Sequence, residues 1–186
     1  MCIMLAVFMG KVLKKKTAVA GDEVTYSLML RQMQKAAAIK HKGIASRHAY
    51  SMDGIDYYCG IRDEDIGILR QKYDVIILDI SFENTFDNTN VTFARMVSRL
   101  SACDEKILAG SMLPWKSREC EKKMERIERF LDIRGLKMVT LAACDKEAVS
   151  IIKKHGVEVV LIPFERNPFI ISGENLRSFL ELLKIT

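Results

Sequence analysis

Apolar runs, many of them rich in β-branched residues, alternate along the chain with segments in which apolar positions recur every three or four residues. The first pattern predicts strands and the second predicts helices. The predicted strands are Thr17–Ala20, Ile55–Cys59, Val75–Ile80, Lys106–Ser111, Lys137–Leu141 and Val157–Pro163. The predicted helices are Met1–Leu13, Val24–Lys40, Asp63–Lys72, Val91–Ser101, Lys116–Asp132, Lys146–His155 and Glu174–Lys184. This alternation predicts an α/β fold with three layers, α/β/α, in which helices cover both faces of a mostly parallel central sheet.

The N-terminal apolar run is open to two interpretations. Cys2–Phe8 is short and uniformly apolar, so periodicity alone does not separate a buried helix from a buried strand. Leucine, methionine and alanine dominate the run, and these residues favour a helix. We therefore expect a helix, with a strand as the alternative.

The composition predicts one domain. The 186 residues are 49% hydrophobic, which suffices for one continuous core, and no linker or repeat divides residues 1–186. No apolar stretch reaches the roughly 18 residues of a membrane-spanning helix. The N-terminus also lacks the layout of a signal peptide, since its positive charges follow the apolar run. A cytoplasmic protein is expected.

Cysteine spacing and charge exclude several other classes of protein. The five cysteines are scattered, odd in number and never spaced as C-x-x-C, which favours reduced thiols over disulfides or a zinc site. The three histidines are too far apart to suggest a catalytic triad or a metal site. The net charge of +5 is spread along the chain, so a nucleic-acid partner is not indicated.

One predicted strand delivers a carboxylate to its C-terminal end. Val75–Leu78 is fully apolar and is followed by Asp79. Ligands bind at the carboxyl ends of the strands in open α/β sheets. A carboxylate there is placed to hold Mg²⁺ through water beside a phosphate, or to accept a phosphoryl group. The alternative is that Asp79 only caps the loop after the strand.

At this strand the sequence resembles a known family. Tyr73–Asp79 is similar to the Walker B strand of MinD/ParA-like proteins, which are P-loop ATPases of the SIMIBI class with relatives in pilus assembly and secretion. Other segments resemble the family in the same order: Met1–Leu13, the helix after the phosphate loop; Lys15–Ala20, the second strand; and Cys103–Ser111, a later core strand. The resemblance implies a P-loop NTPase-like fold and a site for ATP or ADP with Mg²⁺, in which Asp79 is the metal-side residue.

The resemblance implies three further cofactor-binding residues. Leu161–Glu165 is similar to the loop that contacts the nucleotide base, which assigns Pro163 and Glu165 to the base. Asp22 follows the second strand, where the family carries a switch aspartate. The alternative for Asp22 is a helix N-cap, since an Asp–Glu pair after a glycine is typical of a turn that starts a helix.

The chain departs from the family at the phosphate-binding loop. Neither G-x-x-x-x-G-K-[ST] nor its variant with an early lysine occurs in the sequence. The pair Gly10-Lys11 follows the apolar run and is followed by Val12, where a Mg²⁺-binding hydroxyl is needed. We therefore expect an N-terminally incomplete domain. The missing central strand would be replaced by Met1–Phe8 or by a partner's strand, or else the sequence is a fragment.

Three functions are compatible with these residues. The first is a degenerate or truncated MinD/ParA-like domain that works as a binding or scaffold subunit, without ATPase activity of its own and with weak or absent nucleotide binding. Its expected partner is another protein or a second copy of the chain. The alternative is a fragment of an active ATPase whose phosphate loop lies upstream. The second alternative is a receiver-like phosphoacceptor domain, with Asp79 as acceptor and Ser111 on the next strand, although Arg166-Asn167-Pro168 departs from the receiver pattern.

Overall fold

The computed structural model describes residues 1–21, 37–38, 48–80, 90–111, 113–132, 136–141 and 146–185. These residues belong to two compact units. The first unit is Met1–Thr89 with Pro168–Ile170, and the second unit is Asn90–Asn167 with Ile171–Thr186. Each unit contains one β-sheet.

The first unit has a five-stranded sheet. Its elements are helix α1 (Cys2–Val7), which continues as a π-helical turn (Phe8–Val12), the strands β1 (Thr17–Gly21), β2 (Ala37–Ala38), β3 (His48–Met52), β4 (Ile55–Cys59) and β5 (Val75–Asp79), and helix α2 (Asp63–Arg70). The strand order is β2-β3-β4-β1-β5. β1 is parallel to β4 and β5, whereas β3 is antiparallel to β2 and β4.

The core of this unit forms on both sides of β1. Every residue of β1 is buried, as expected for an apolar strand between two others. The apolar side chains of α1 are buried, and α1 contacts β1 and β5. The π-helical turn packs so closely that a β-carbon on Gly10 would lie 3.0 Å from Cγ1 of Ile55. A separate cluster joins Tyr58, Leu69 and Tyr73 with alanines of β1, so α2 and the start of β5 share a core with β4.

The second unit has a three-stranded parallel sheet. Its elements are α3 (Asn90–Ser101), β6 (Ile107–Ala109), α4 (Pro114–Glu128), β7 (Lys137–Leu141), α5 (Lys146–Lys154), β8 (Glu158–Ile162) and α6 (Gly173–Leu183). The strand order is β6-β7-β8. Pro114 is in the first turn of α4, where a backbone N–H has no partner within the helix, so a proline there removes no helical hydrogen bond. Ser172 caps α6 by accepting a hydrogen bond from the backbone N–H of Asn175 at 3.3 Å.

Most of the predicted elements are found at their predicted positions, and the α/β fold with mostly parallel strands is confirmed. Cys2–Phe8 is helical, so the alternative of a strand there is wrong. The predicted helix Val24–Lys40 is wrong at Ala37–Ala38, which pair with β3 as a strand; its other residues lie outside the described part of the chain.

Strand β3 was not predicted. It forms a hairpin with β4 through Asp53 and Gly54, which both have positive φ, at 55° and 78°. Two successive residues of positive φ match the right-handed twist of paired strands, and Asp-Gly is the preferred pair for such a turn. The turn therefore fixes the pairing of a strand whose own apolar pattern is weak.

Candidate functional site

The carboxyl ends of three parallel strands meet at one edge of the first sheet. The register places Gly21, the last residue of β1, opposite both Cys59 and Asp79. The N–H of Gly60 donates to the carbonyl oxygen of Gly21 at 2.9 Å, which continues the pairing one residue beyond the strands. Asp79 is thus held beside the end of β1, at the end of the last strand of this sheet, and it is partly exposed. This is the edge at which α/β sheets bind ligands.

Asp79 is suited to one part of a nucleotide site. Mg²⁺ in phosphate sites is held by one or two carboxylates together with waters and phosphate oxygens. A single carboxylate such as Asp79 can therefore be the protein's ligand to the metal. The triphosphate also needs backbone N–H groups and a cation to neutralise its charge. The described ranges place no glycine-rich loop beside Asp79. The position of Asp79 is therefore compatible with the metal side of such a site.

The Gly10-Lys11 pair lies at the opposite edge of the sheet. Lys11 Nζ is 2.6 Å from Asp53 Oδ2, and Asp53 belongs to the turn that precedes β4. The start of β4 is in register with the starts of β1 and β5, whereas Asp79 ends β5. The five residues of β5 separate the two edges. This separation is roughly 13 Å at about 3.3 Å per residue, so Lys11 is not the cation of a site at Asp79.

Pro163 and Glu165 directly follow the carboxyl end of β8, in the second unit. Both are partly buried, whereas Phe164 between them is 74% exposed. The loop leads to α6, whose Ser178 donates a hydrogen bond to the carbonyl oxygen of Leu161 at 3.0 Å. The loop therefore presents an aromatic ring at a sheet edge, a feature that the Pro-x-acidic pattern does not specify.

The predicted site residues are distributed over both units. Asp79 is in the first unit, and Pro163 and Glu165 are in the second. Asp22 lies outside the described residues. Ser111, the second residue of the receiver-like alternative, is partly buried just after β6 in the second unit.

A polar network near the start of β5 was missed by the sequence analysis. The hydroxyl groups of Tyr58 and Tyr73 lie 2.6 Å apart, and Tyr73 donates to Asp56 Oδ2 at 2.5 Å. Burial, and then the hydrogen bond to Asp56, raise the pKa of Tyr73 above its usual value. Burial also raises the pKa of Tyr58. Burial thus disfavours the ionised forms of both tyrosines, and the network joins β4 to the segment that leads into β5.

Within the part of the chain that the structure describes, no group of three or more His, Cys, Asp or Glu side chains could hold a metal ion. No helix among the described residues is long and apolar enough to cross a membrane.

Comparison with known proteins gives matches among solved structures. No protein-family model and no curated protein matches the chain. The MinD cell division protein of Aquifex aeolicus is similar at 11% identity and a TM-score of 0.60, over 100% of this chain and 92% of that chain. The MinC:MinD cell division protein complex of the same organism is similar at 14% identity and a TM-score of 0.59, over 99% of this chain and 91% of that chain.

The chain has a MinD-like, P-loop NTPase-like α/β fold. At these identities the likeness concerns the fold alone, and it agrees with the fold that the Walker B-like strand implied.

Proposed function

We propose that this chain is a MinD/ParA-like domain that works as a cytoplasmic binding or scaffold subunit and does not hydrolyse ATP by itself. The observation that carries the proposal is the separation of Asp79 from Lys11 on opposite edges of the first sheet. The metal-side carboxylate and the lysine of the Gly-Lys pair therefore do not belong to one site.

The chemistry of phosphoryl transfer supports this assignment. The protein contributes to that reaction almost entirely by positioning the phosphates and by neutralising the charge that develops on them. Asp79 supplies neither function by itself, since a carboxylate is negative and acts there only through a bound metal. A site of this kind binds nucleotide weakly or not at all.

Binding of another protein is the role left to such a domain. The MinD of one similar structure is in a complex with a second protein, MinC, which supports a protein partner for this chain as well.

A second candidate function follows from Asp79 itself. Its position at the end of β5 is where an ATPase of this fold needs its magnesium-side carboxylate. The second candidate is therefore an ATPase whose phosphate loop comes from residues outside this sequence.

Phosphate release from Mg²⁺-ATP by the purified chain distinguishes the two candidates. We expect the chain to release phosphate no faster than buffer without protein does. Asp79→Asn should leave this rate unchanged. The matched control is Asp53→Asn, which removes a carboxylate at the opposite edge of the same sheet. Hydrolysis that Asp79→Asn abolishes and Asp53→Asn retains would overturn the proposal in favour of the ATPase.

A further inference from the structure

Three consecutive lysines lie at the amino ends of the parallel strands of the first sheet. Lys14, Lys15 and Lys16 directly precede β1, and all three are exposed. Among the residues that the structure describes, no carboxylate forms an ion pair with the ammonium group of any of them, whereas Lys11 nearby is paired with Asp53. This lysine surface, Lys14–Lys16, is a local excess of positive charge.

The main chain of the lysine surface is held by hydrogen bonds to two neighbouring segments. The N–H of Lys15 donates to the carbonyl oxygen of Met9 at 3.0 Å. The N–H of Lys16 donates to Asp74 Oδ2 at 2.8 Å, and the carbonyl oxygen of Lys16 accepts from the N–H groups of Asp74 and Val75. The lysine side chains therefore extend from a fixed backbone, which reduces the entropy that is lost when a partner binds.

Lys14 has a backbone conformation that favours glycine. Its φ is 57°, in the turn that follows the π-helical segment. Helices commonly end on a residue in this left-handed conformation, and that residue is usually glycine because a β-carbon makes the conformation unfavourable. Non-glycine residues held in such conformations cluster at functional sites. The chain thus carries a positive charge at a position where stability alone favours glycine.

We propose that the lysine surface binds an acidic segment of a partner protein. The inference rests on the proposed function, a subunit that binds another protein, and it adds the surface and the charge of the partner. The lysine surface is separate from the candidate nucleotide site. It precedes Thr17, which is in register with Val75 at the start of β5, whereas Asp79 ends that strand.

Two features of this edge favour an acidic protein over a nucleic acid or an anionic membrane. Asp53 and Asp74 are exposed at the same edge. A protein segment can present carboxylates to the lysines and a hydrogen-bond donor to Asp74, whereas a phosphate backbone or lipid surface presents negative charge throughout. Tyr73, whose ring centre is 5.2 Å from Lys16 Nζ, is only 8% exposed, so its ring is not available to stack on a base.

Binding of a fluorescent oligoglutamate peptide tests the inference without nucleotide. Fluorescence anisotropy at low salt gives the dissociation constant for the wild type and for Lys14→Gly/Lys15→Gln. We expect the double variant to bind about tenfold more weakly, because two exposed charge pairs are lost. The matched control is Lys153→Gln/Lys154→Gln, which removes two adjacent exposed lysines from the end of α5. It lowers the net charge equally and should leave the dissociation constant unchanged.

The stability of Lys14→Gly separates a binding role from a structural one. Because glycine tolerates the positive φ of this position, we expect the urea midpoint of this variant to rise while oligoglutamate binding weakens about threefold. A lower urea midpoint would mean that the side chain of Lys14 stabilises the fold, which would remove the argument that stability disfavours it. Lys14→Arg keeps the charge and should retain the wild-type affinity.

Several results would overturn the inference. One is the absence of oligoglutamate binding at low salt, and another is equal binding by the wild type and Lys14→Gly/Lys15→Gln. Tighter binding of oligothymidylate or of phosphatidylserine vesicles than of oligoglutamate would assign the surface to nucleic acid or to a membrane instead. These outcomes are distinct from those of the ATPase assay. Hydrolysis that depends on Asp79 would overturn the proposed function, whereas loss of peptide binding without hydrolysis would overturn this inference alone.

Discussion

Lys11 Nζ lies 2.6 Å from Asp53 Oδ2 and joins the π-helical turn after α1 to the turn between β3 and β4. The pair connects residues 42 positions apart in the chain. Because the side chains are 38% and 45% exposed, water screens the pair and its contribution to stability is small. The ion pair gives Lys11 a structural role at the edge of the sheet opposite Asp79.

The stability of the hairpin at Asp53–Gly54 should depend more on the backbone conformation of the turn than on the charge of Asp53. Gly54→Ala places a β-carbon at a φ of 78°, and we expect it to destabilise the fold by about 1 kcal/mol. Asp53→Asn loses the ion pair but keeps a residue that tolerates positive φ, and should cost less than about 0.5 kcal/mol. Urea unfolding of the two variants measures this difference. A larger loss for Asp53→Asn than for Gly54→Ala would show that the ion pair, and not the turn, holds the hairpin.

Tyr73→Phe should destabilise the first unit. The substitution removes the donor to Asp56 and the partner of Tyr58, and we expect a loss of about 1–3 kcal/mol in the free energy of unfolding. Tyr57→Phe is the matched control, since in the described part of the chain the buried hydroxyl of Tyr57 has no hydrogen-bond partner. That control should be neutral or slightly stabilising. Equal losses for both variants would contradict a structural role for the network.

Alkaline pH should reduce the difference in the free energy of unfolding between the wild type and Tyr73→Phe. Burial raises the pKa of Tyr73 and Tyr58 in the folded state above their usual value near 10. The folded chain therefore keeps protons that the unfolded chain releases, so this stabilisation is complete below about pH 10 and is lost as the pH rises further. Urea midpoints of both proteins at increasing pH test this. A constant or growing gap between them above pH 10 would contradict it.

Gly110→Ala should strain the core of the second unit. A β-carbon on Gly110 would lie 2.6 Å from Cε of Met138 and 2.7 Å from Sγ of Cys120. Methionine can move away, but the short cysteine side chain has little freedom, so we expect a cost of about 1–3 kcal/mol. Cys120→Ala should recover part of this cost in the double variant. A double-mutant cycle measures the coupling, and strictly additive effects would contradict contact between these groups.

The sequence was most informative about buried parallel strands. Ile55–Cys59 and Lys137–Leu141 were predicted with the bounds that the structure has, because each is a short run rich in β-branched, aromatic or other apolar residues. β3 could not be predicted from periodicity, since His48–Met52 lacks clear alternation. The Asp53-Gly54 turn was the available signal for it, and hairpin chemistry would have identified the strand.

The candidate site was predictable only where one strand determines it. Asp79 follows from the end of β5, as the sequence indicated. The pairing of Lys11 with Asp53 and the network of Tyr58, Tyr73 and Asp56 depend on contacts between distant segments. Residue types and spacing carry no information about such contacts until the strand order is known. The assignment of Asp22 remains a prediction, because that residue lies outside the described ranges.

Nucleotide binding tests the central claim most directly. Melting temperatures of the purified chain are compared with and without Mg²⁺-ATP or Mg²⁺-ADP, beside Asp79→Asn and Asp53→Asn. A ligand stabilises the folded state only when its concentration is comparable with or above its dissociation constant, so we predict no shift at about 1 mM nucleotide. A clear rise that Asp79→Asn removes and Asp53→Asn retains would contradict the account, because it would show a working phosphate site facing Asp79.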